Sequence, residues 1–153
     1  MVPIVKKYPW SCLTAATAMA LDVEEDDIFR AVGHTGGHVQ WPENAPKVSM
    51  YRGFCQQEIV DALLVEYDVP VVTLAVAPTF TNGNEEGCIP LYEDAQGVLE
   101  DWLEFSSGVL LGRYDNGFNH ALANIAGQMY DPDTGALAEP GFDAEWYLMF
   151  YGV

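Results

Sequence analysis

The stretch Pro9-Trp10-Ser11-Cys12-Leu13-Thr14-Ala15-Ala16-Thr17-Ala18-Met19-Ala20-Leu21 decides how the chain is read. Pro9 and Trp10 turn the backbone, Ser11 is a candidate N-cap, and the run that follows is a helix former dominated by small residues. Small side chains let neighbours approach from several directions, so this segment is expected to be a central, buried helix. Cys12 then falls in its first turn, where unpaired amide N–H groups and the helix dipole favour a thiolate.

Downstream, Asp22-Val23-Glu24-Glu25 reads as a capping box for a second short helix, with Ile28, Phe29 and Val32 facing inward and Gly33 closing it. Residues 33–53 are punctuated by glycine and proline and read as a long irregular loop that holds His34, His38, Trp41 and Tyr51. A third helix is expected over 54–68, with Ile59, Ala62, Leu63 and Tyr67 on one face, then a β-branched strand over 69–76. After a polar, acidic excursion at 79–87, residues 92–105 read as a fourth helix that Ser106-Ser107-Gly108 breaks. Strands are expected over 109–114, 120–125, 128–130 and 146–151, with hairpin turns at Asp115-Asn116-Gly117 and Ala126-Gly127. Helices first and antiparallel strands last define an α+β chain, and nothing in its 153 residues marks a boundary or a repeat, so one domain is expected.

Three residues carry the chemistry. A cysteine nucleophile needs an imidazole to form an ion pair and shuttle the proton, and a carboxylate or amide to hold the ring. Cys12, His120 and Asp131 supply one of each. If His120 opens one strand and Asp131 follows the next, the turn at Ala126-Gly127 folds both to the same sheet edge. Asn124 shares the face of His120 and is a second candidate for holding the ring, Asn119 points to the opposite face, and Asp133 is the alternative to Asp131. Each also has a plain structural reading: Cys12 as a small core residue, His120 as a hydrogen-bonded strand histidine, Asp131 as the opener of an Asp-Pro turn.

The segment from Lys6 to Asp22, the triplet Asn119-His120-Ala121 and the run Met129-Tyr130-Asp131-Pro132-Asp133 resemble the papain-like cysteine peptidase superfamily. The nearest branch is the one typified by bacteriocin-leader-processing peptidase domains and by short stand-alone bacteriophage relatives. In the latter a Val-Pro opening and a tryptophan-serine-cysteine helix are followed by a stretch like Val32-Gly33-His34-Thr35-Gly36. The resemblance implies N-terminal helices with the nucleophile helix packed on a C-terminal antiparallel sheet. It implies Cys12 as nucleophile, His120 as base and Asp131 as orienting group, in a phage or bacterial accessory protein that needs no metal or organic cofactor. One position departs from the family pattern. Members usually carry a glutamine six residues before the cysteine, whose amide helps bind the oxyanion; here that position is Lys6, whose ammonium is the candidate to join the Cys12 N–H as oxyanion donor.

Composition narrows the alternatives. Six Lys+Arg against 23 Asp+Glu give a formal net charge of −17, a field that repels nucleic-acid phosphates and anionic membranes and suits a basic protein or peptide partner, or simply solubility. The opening Met1-Val2-Pro3-Ile4-Val5-Lys6-Lys7 has no secretory pattern, no long apolar run follows, and the three cysteines lack framework spacing, so a cytoplasmic protein is expected. A zinc site from His34, His38, Cys55 and Cys88 is disfavoured because no Cys-x-x-Cys pair exists and Gly36-Gly37 separates the histidines. Cys55 and Cys88 are expected to have no chemical role. The acidic runs at 24–27 and 85–86 read as solvated surface.

Overall fold

A computed structural model describes residues 3–37, 53–76 and 95–153. Four helices, α1 Cys12–Leu21, α2 Glu25–Val32, α3 Gln56–Tyr67 and α4 Ala95–Glu104, accompany five strands, β1 Val71–Ala75, β2 Ser107–Arg113, β3 Asn119–Ile125, β4 Gln128–Tyr130 and β5 Asp143–Phe150. The strands form one antiparallel sheet in the order β1-β5-β2-β3-β4. The α+β class read from the sequence is the class observed. His38, Trp41, Tyr51, Cys88 and the excursion at 79–87 lie outside the described residues.

Helix α1 is the centre of the fold because it has almost no bulk. Ala15, Ala16 and Ala18 are wholly buried, as are Thr14 and Thr17. The Thr17 hydroxyl is satisfied at home, donating to Leu13 O at 2.7 Å, and the Thr14 hydroxyl shares its proton between Ser11 O at 3.0 Å and Glu25 Oε1 of α2 at 3.2 Å. With backbone and hydroxyls paired, all sides of α1 can be covered by α2, α3, β2 and β3.

Its ends depart from expectation in detail. Ser11 makes no side-chain cap; its hydroxyl instead closes the preceding turn, accepting from Tyr8 N–H at 3.1 Å. Asp22 terminates α1 in the left-handed region (φ 60°), a conformation that aspartate tolerates, so it is not the first residue of a capping box. The box that opens α2 lies two residues on, where Glu24 N–H donates to Asp27 Oδ2 at 3.2 Å. Gly33 closes α2 as expected, at φ 94°.

The sheet is buried on both faces. Val109, Ala121, Ala123, Leu148 and Phe150 pack with α1, α2 and α3, while Leu110, Leu122 and Tyr147 pack with Leu99 and Leu103 of α4. Adjacent strand residues point to opposite faces, so a strand covered twice must be apolar without alternation. That is the pattern of Val109-Leu110-Leu111 and Ala121-Leu122-Ala123.

Two glycines in β2 set how closely β5 can approach. A Cβ on Gly108 would lie 2.0 Å from Leu148 O, and one on Gly112 would lie 2.0 Å from Asp143 O. Ser107 and Gly108 therefore belong to the strand rather than to the break before it. Gly112 sits at a bulge, where the β2–β5 register shifts, and it is the register partner of His120 in β3.

Candidate active site

The N-terminus of α1 and the first residue pair of β3 meet at one edge of the sheet, and Cys12 and His120 are delivered there by those two elements. The His120 ring stands between a sulfur and a carboxylate. Its Nε2 lies 2.8 Å from Asp131 Oδ1, and the Cys12 thiol is near enough to the ring to bear on its protonation. With Nε2 committed to Asp131, Nδ1 is the nitrogen left for sulfur. Side-chain exposures of 11% for His120 and 15% for Asp131 keep the pair largely shielded from water, while Cys12 is half-buried.

Burial by itself would lower the His120 pKa, but hydrogen bonding to Cys12 and Asp131, with the attraction of their negative charge, pushes it up to about 9. The ring is therefore an imidazolium over the neutral pH range. An imidazolium favours the thiolate form of a neighbouring cysteine and is the state from which a leaving group is protonated.

Asp131 is held by its own loop. Oδ1 also accepts Asp133 N–H at 2.8 Å, and its carbonyl accepts Thr134 N–H at 3.1 Å and Gly135 N–H at 2.7 Å. The turn-opening reading of Asp-Pro is thus correct at the same time as the carboxylate meets the histidine. Lys6 reaches this loop twice: its N–H donates to Pro132 O at 2.8 Å and its ammonium pairs with Asp133.

The other candidates are placed elsewhere. Asn124 shares the strand face of His120 yet is wholly buried at the far end of β3, where Nδ2 serves Leu103 O, Ser106 O and the Tyr147 hydroxyl at 2.9–3.0 Å. It organises the α4–β2 junction. Asn119 opens β3 and is exposed. His34 uses Nε2 on Glu58 Oε1 at 2.8 Å and accepts Gly36 N–H on Nδ1 at 2.9 Å, so both ring nitrogens are engaged within the protein. Cys55 is the exposed N-cap residue of α3.

Two neighbours of His120 were not singled out by the sequence. Tyr114 lies 6.1 Å and Phe142 lies 6.4 Å from the His120 ring centroid, and their own rings meet edge-on at 5.2 Å. Together they wall one side of the imidazole. Burial raises the Tyr114 pKa, and Asp131, Glu139 and Asp133 add to the effect. No periodicity or motif marks these residues, because only the loop between β4 and β5 brings Phe142 to the end of β2.

No protein-family model matches the chain, and no curated protein or solved structure does. The site is therefore argued from its own geometry. Among the described residues, one set of three side chains has metal-type donor atoms mutually within 4.8 Å: His120, Asp131 and Asp133. Asp131 is spent on His120 and Asp133 on Lys6, so the set is accounted for by hydrogen bonds and an ion pair. Among the described residues no helix is long and apolar enough to cross a membrane.

Proposed function

We propose that this protein is a papain-like cysteine hydrolase or acyl transferase that opens an amide, isopeptide or thioester bond. One observation carries the reading: a half-buried cysteine at a helix N-terminus shares a histidine with a loop-held aspartate, on a sheet edge screened by aromatic rings. In this mechanism the reacting state is a thiolate–imidazolium pair, in which the Cys12 proton already resides on His120 Nδ1, and the thiolate attacks the substrate carbonyl. The oxyanion is met by the Cys12 N–H, which lies in the first turn of α1 where amides have no intrahelical acceptor. Collapse of the tetrahedral species expels the amine or thiol, which takes the proton from His120 and leaves an acyl-thioester on Cys12. Water, or an acceptor amine, then attacks with His120 as base and returns the thiol. Asp131 holds Nε2–H throughout, so Nδ1 keeps facing sulfur.

The likeness in residues 6–22, 119–121 and 129–133 to bacteriocin-leader-processing and phage-borne peptidases supports the same reading, and with it a phage or bacterial accessory role in the cytoplasm on a protein or peptide substrate. The charge of −17 favours a basic one and opposes nucleic acid.

A second reading is a catalytically silent relative that acts as an acidic binding or inhibitory protein. The Lys6 contact favours it, because the ammonium at the family's glutamine position is engaged by Asp133 rather than offered as an oxyanion donor. Loss of one such donor costs about two to three orders of magnitude in rate.

Alkylation of Cys12 separates the two. With iodoacetamide at pH 6 to 7, followed by peptide mass mapping, the hydrolase reading expects Cys12 to react about tenfold or more faster in the wild type than in His120→Ala. A thioester probe should then leave its acyl group on Cys12. Equal alkylation rates and no acyl adduct would sink the hydrolase and leave the binder.

A further inference from the structure

We propose that Lys6 is a positioning residue that sorts two neighbouring carboxylates: it holds Asp133 in an ion pair and so reserves the His120 ring for Asp131. The inference rests on the hydrolase reading and deepens it, assigning Lys6 a role different from that of the glutamine it replaces.

Asp131 and Asp133 both have an oxygen within 4.8 Å of a His120 ring nitrogen. The β3–β4 register pairs Ala123 with Tyr130 and Asn124 with Met129. A β4 strand continued in that register would set Asp133, not Asp131, opposite His120. The chain instead turns after Tyr130, and the competing carboxylate is drawn off by Lys6.

Lys6 is anchored so that it can do this. Its N–H bonds Pro132 O, midway between the two acids, and the adjoining Gly135 packs on the preceding residues, where a Cβ would lie 3.3 Å from Val5 Cγ2. The same N-terminal segment leads directly into Cys12. One short stretch therefore fixes the distance between the nucleophile and the acid loop.

The charged and titratable groups facing His120 are Cys12 from α1, Tyr114 just past β2, Asp131 and Asp133 from the loop, and Lys6 beyond Asp133. With Lys6 gone, Asp133 carries an uncompensated charge beside an imidazolium. The ring proton is then held more tightly, and the ring gains a second acceptor toward which it can turn, away from sulfur.

The test is the titration of the His120 ring by NMR, assigned against His120→Gln, in the wild type, Lys6→Met, Lys6→Arg, Asp133→Asn and the Lys6→Met/Asp133→Asn pair. Lys6→Met is expected to raise the His120 titration midpoint by about half a unit or more. Lys6→Arg and the double variant are expected to restore it, and Asp133→Asn alone to lower it. A His120 midpoint unmoved by Lys6→Met, or a double variant that keeps the shift, overturns the sorting role. If Lys6→Met does not fold, Asp133→Asn decides alone, and an unchanged midpoint there overturns it as well. Asp131→Asn separates this from the parent reading: if it too leaves His120 unmoved, the triad itself fails, whereas a normal Asp131 effect with a silent Lys6 removes only the sorting.

Discussion

His120 Nε2 meets Asp131 Oδ1 at 2.8 Å across a diagonal of the β3–β4 hairpin, not across a register pair. In register, the neighbour of Asp131 would be Leu122, which points into the core against α4. The contact exists because β4 stops at Tyr130 and the chain bends into the Asp131–Gly135 turn, bringing the carboxylate back along the sheet edge toward the ring. The meeting of base and acid is thus a property of where a three-residue strand ends.

That contact gives stability a definite pH dependence. His120 titrates near 6.5 when unfolded and at about 9 when folded, so its contribution is complete below about 6.5 and is lost as pH rises through about 9. Urea unfolding between pH 6 and 10 should show a decline on the order of 1–3 kcal/mol, and His120→Gln should flatten it. A flat wild-type profile would contradict the environment described for the ring.

Asn124 is expected to matter for folding and not for the thiol. Asn124→Ala leaves Leu103 O, Ser106 O and the Tyr147 hydroxyl short of a buried donor, which should cost on the order of 2–4 kcal/mol. The Cys12 alkylation rate of the folded variant should stay within about twofold of wild type, since this amide lies at the other end of β3.

Glu25 stands in an acidic run that reads as surface, yet it is only 5% exposed. Its two oxygens accept Lys7 N–H at 3.0 Å and the Thr14 hydroxyl at 3.2 Å, tying α2 to α1 and to the segment that enters it. Glu25→Ala should destabilise by about 1–3 kcal/mol in thermal or chemical unfolding, whereas Asp26→Ala, one residue away and exposed, should change stability by less than about 0.5 kcal/mol.

Gly112 faces His120 on one side and the β5 backbone on the other. Because an added methyl would meet a backbone oxygen at 2.0 Å and not a yielding side chain, Gly112→Ala should cost about 3 kcal/mol or more. A stable, fully folded Gly112→Ala would show that β2 and β5 do not approach as described.

Much of this architecture could be read from residues alone because it is local. The Ala-rich run after Cys12 is a buried helix, Gly33 ends α2, and Ala126-Gly127 makes the tight turn, with both residues at positive φ (49° and 89°). Boundaries were less legible. Helix α3 is shorter than its apolar pattern suggests, because Cys55 and Asp68 take cap conformations, and β5 begins at Asp143, where a polar stretch pairs with β2 through the backbone and through the Arg113–Glu145 ion pair. The second covered face of the sheet was written in the unbroken apolar runs of β2 and β3, a signal that alternation-based reading passes over.

By itself, then, the sequence determined the elements, the α+β class and the three residue types from which a thiol site can be built, since each depends on short-range periodicity and backbone chemistry. Only the tertiary structure decided which partners those residues take. It put Asp131 on His120, Asp133 on Lys6, Asn124 on the α4–β2 junction and Glu25 beneath α1. Partner choice at this scale is set by a few ångströms of loop geometry, and two aspartates separated by one proline look alike until the chain between them has turned.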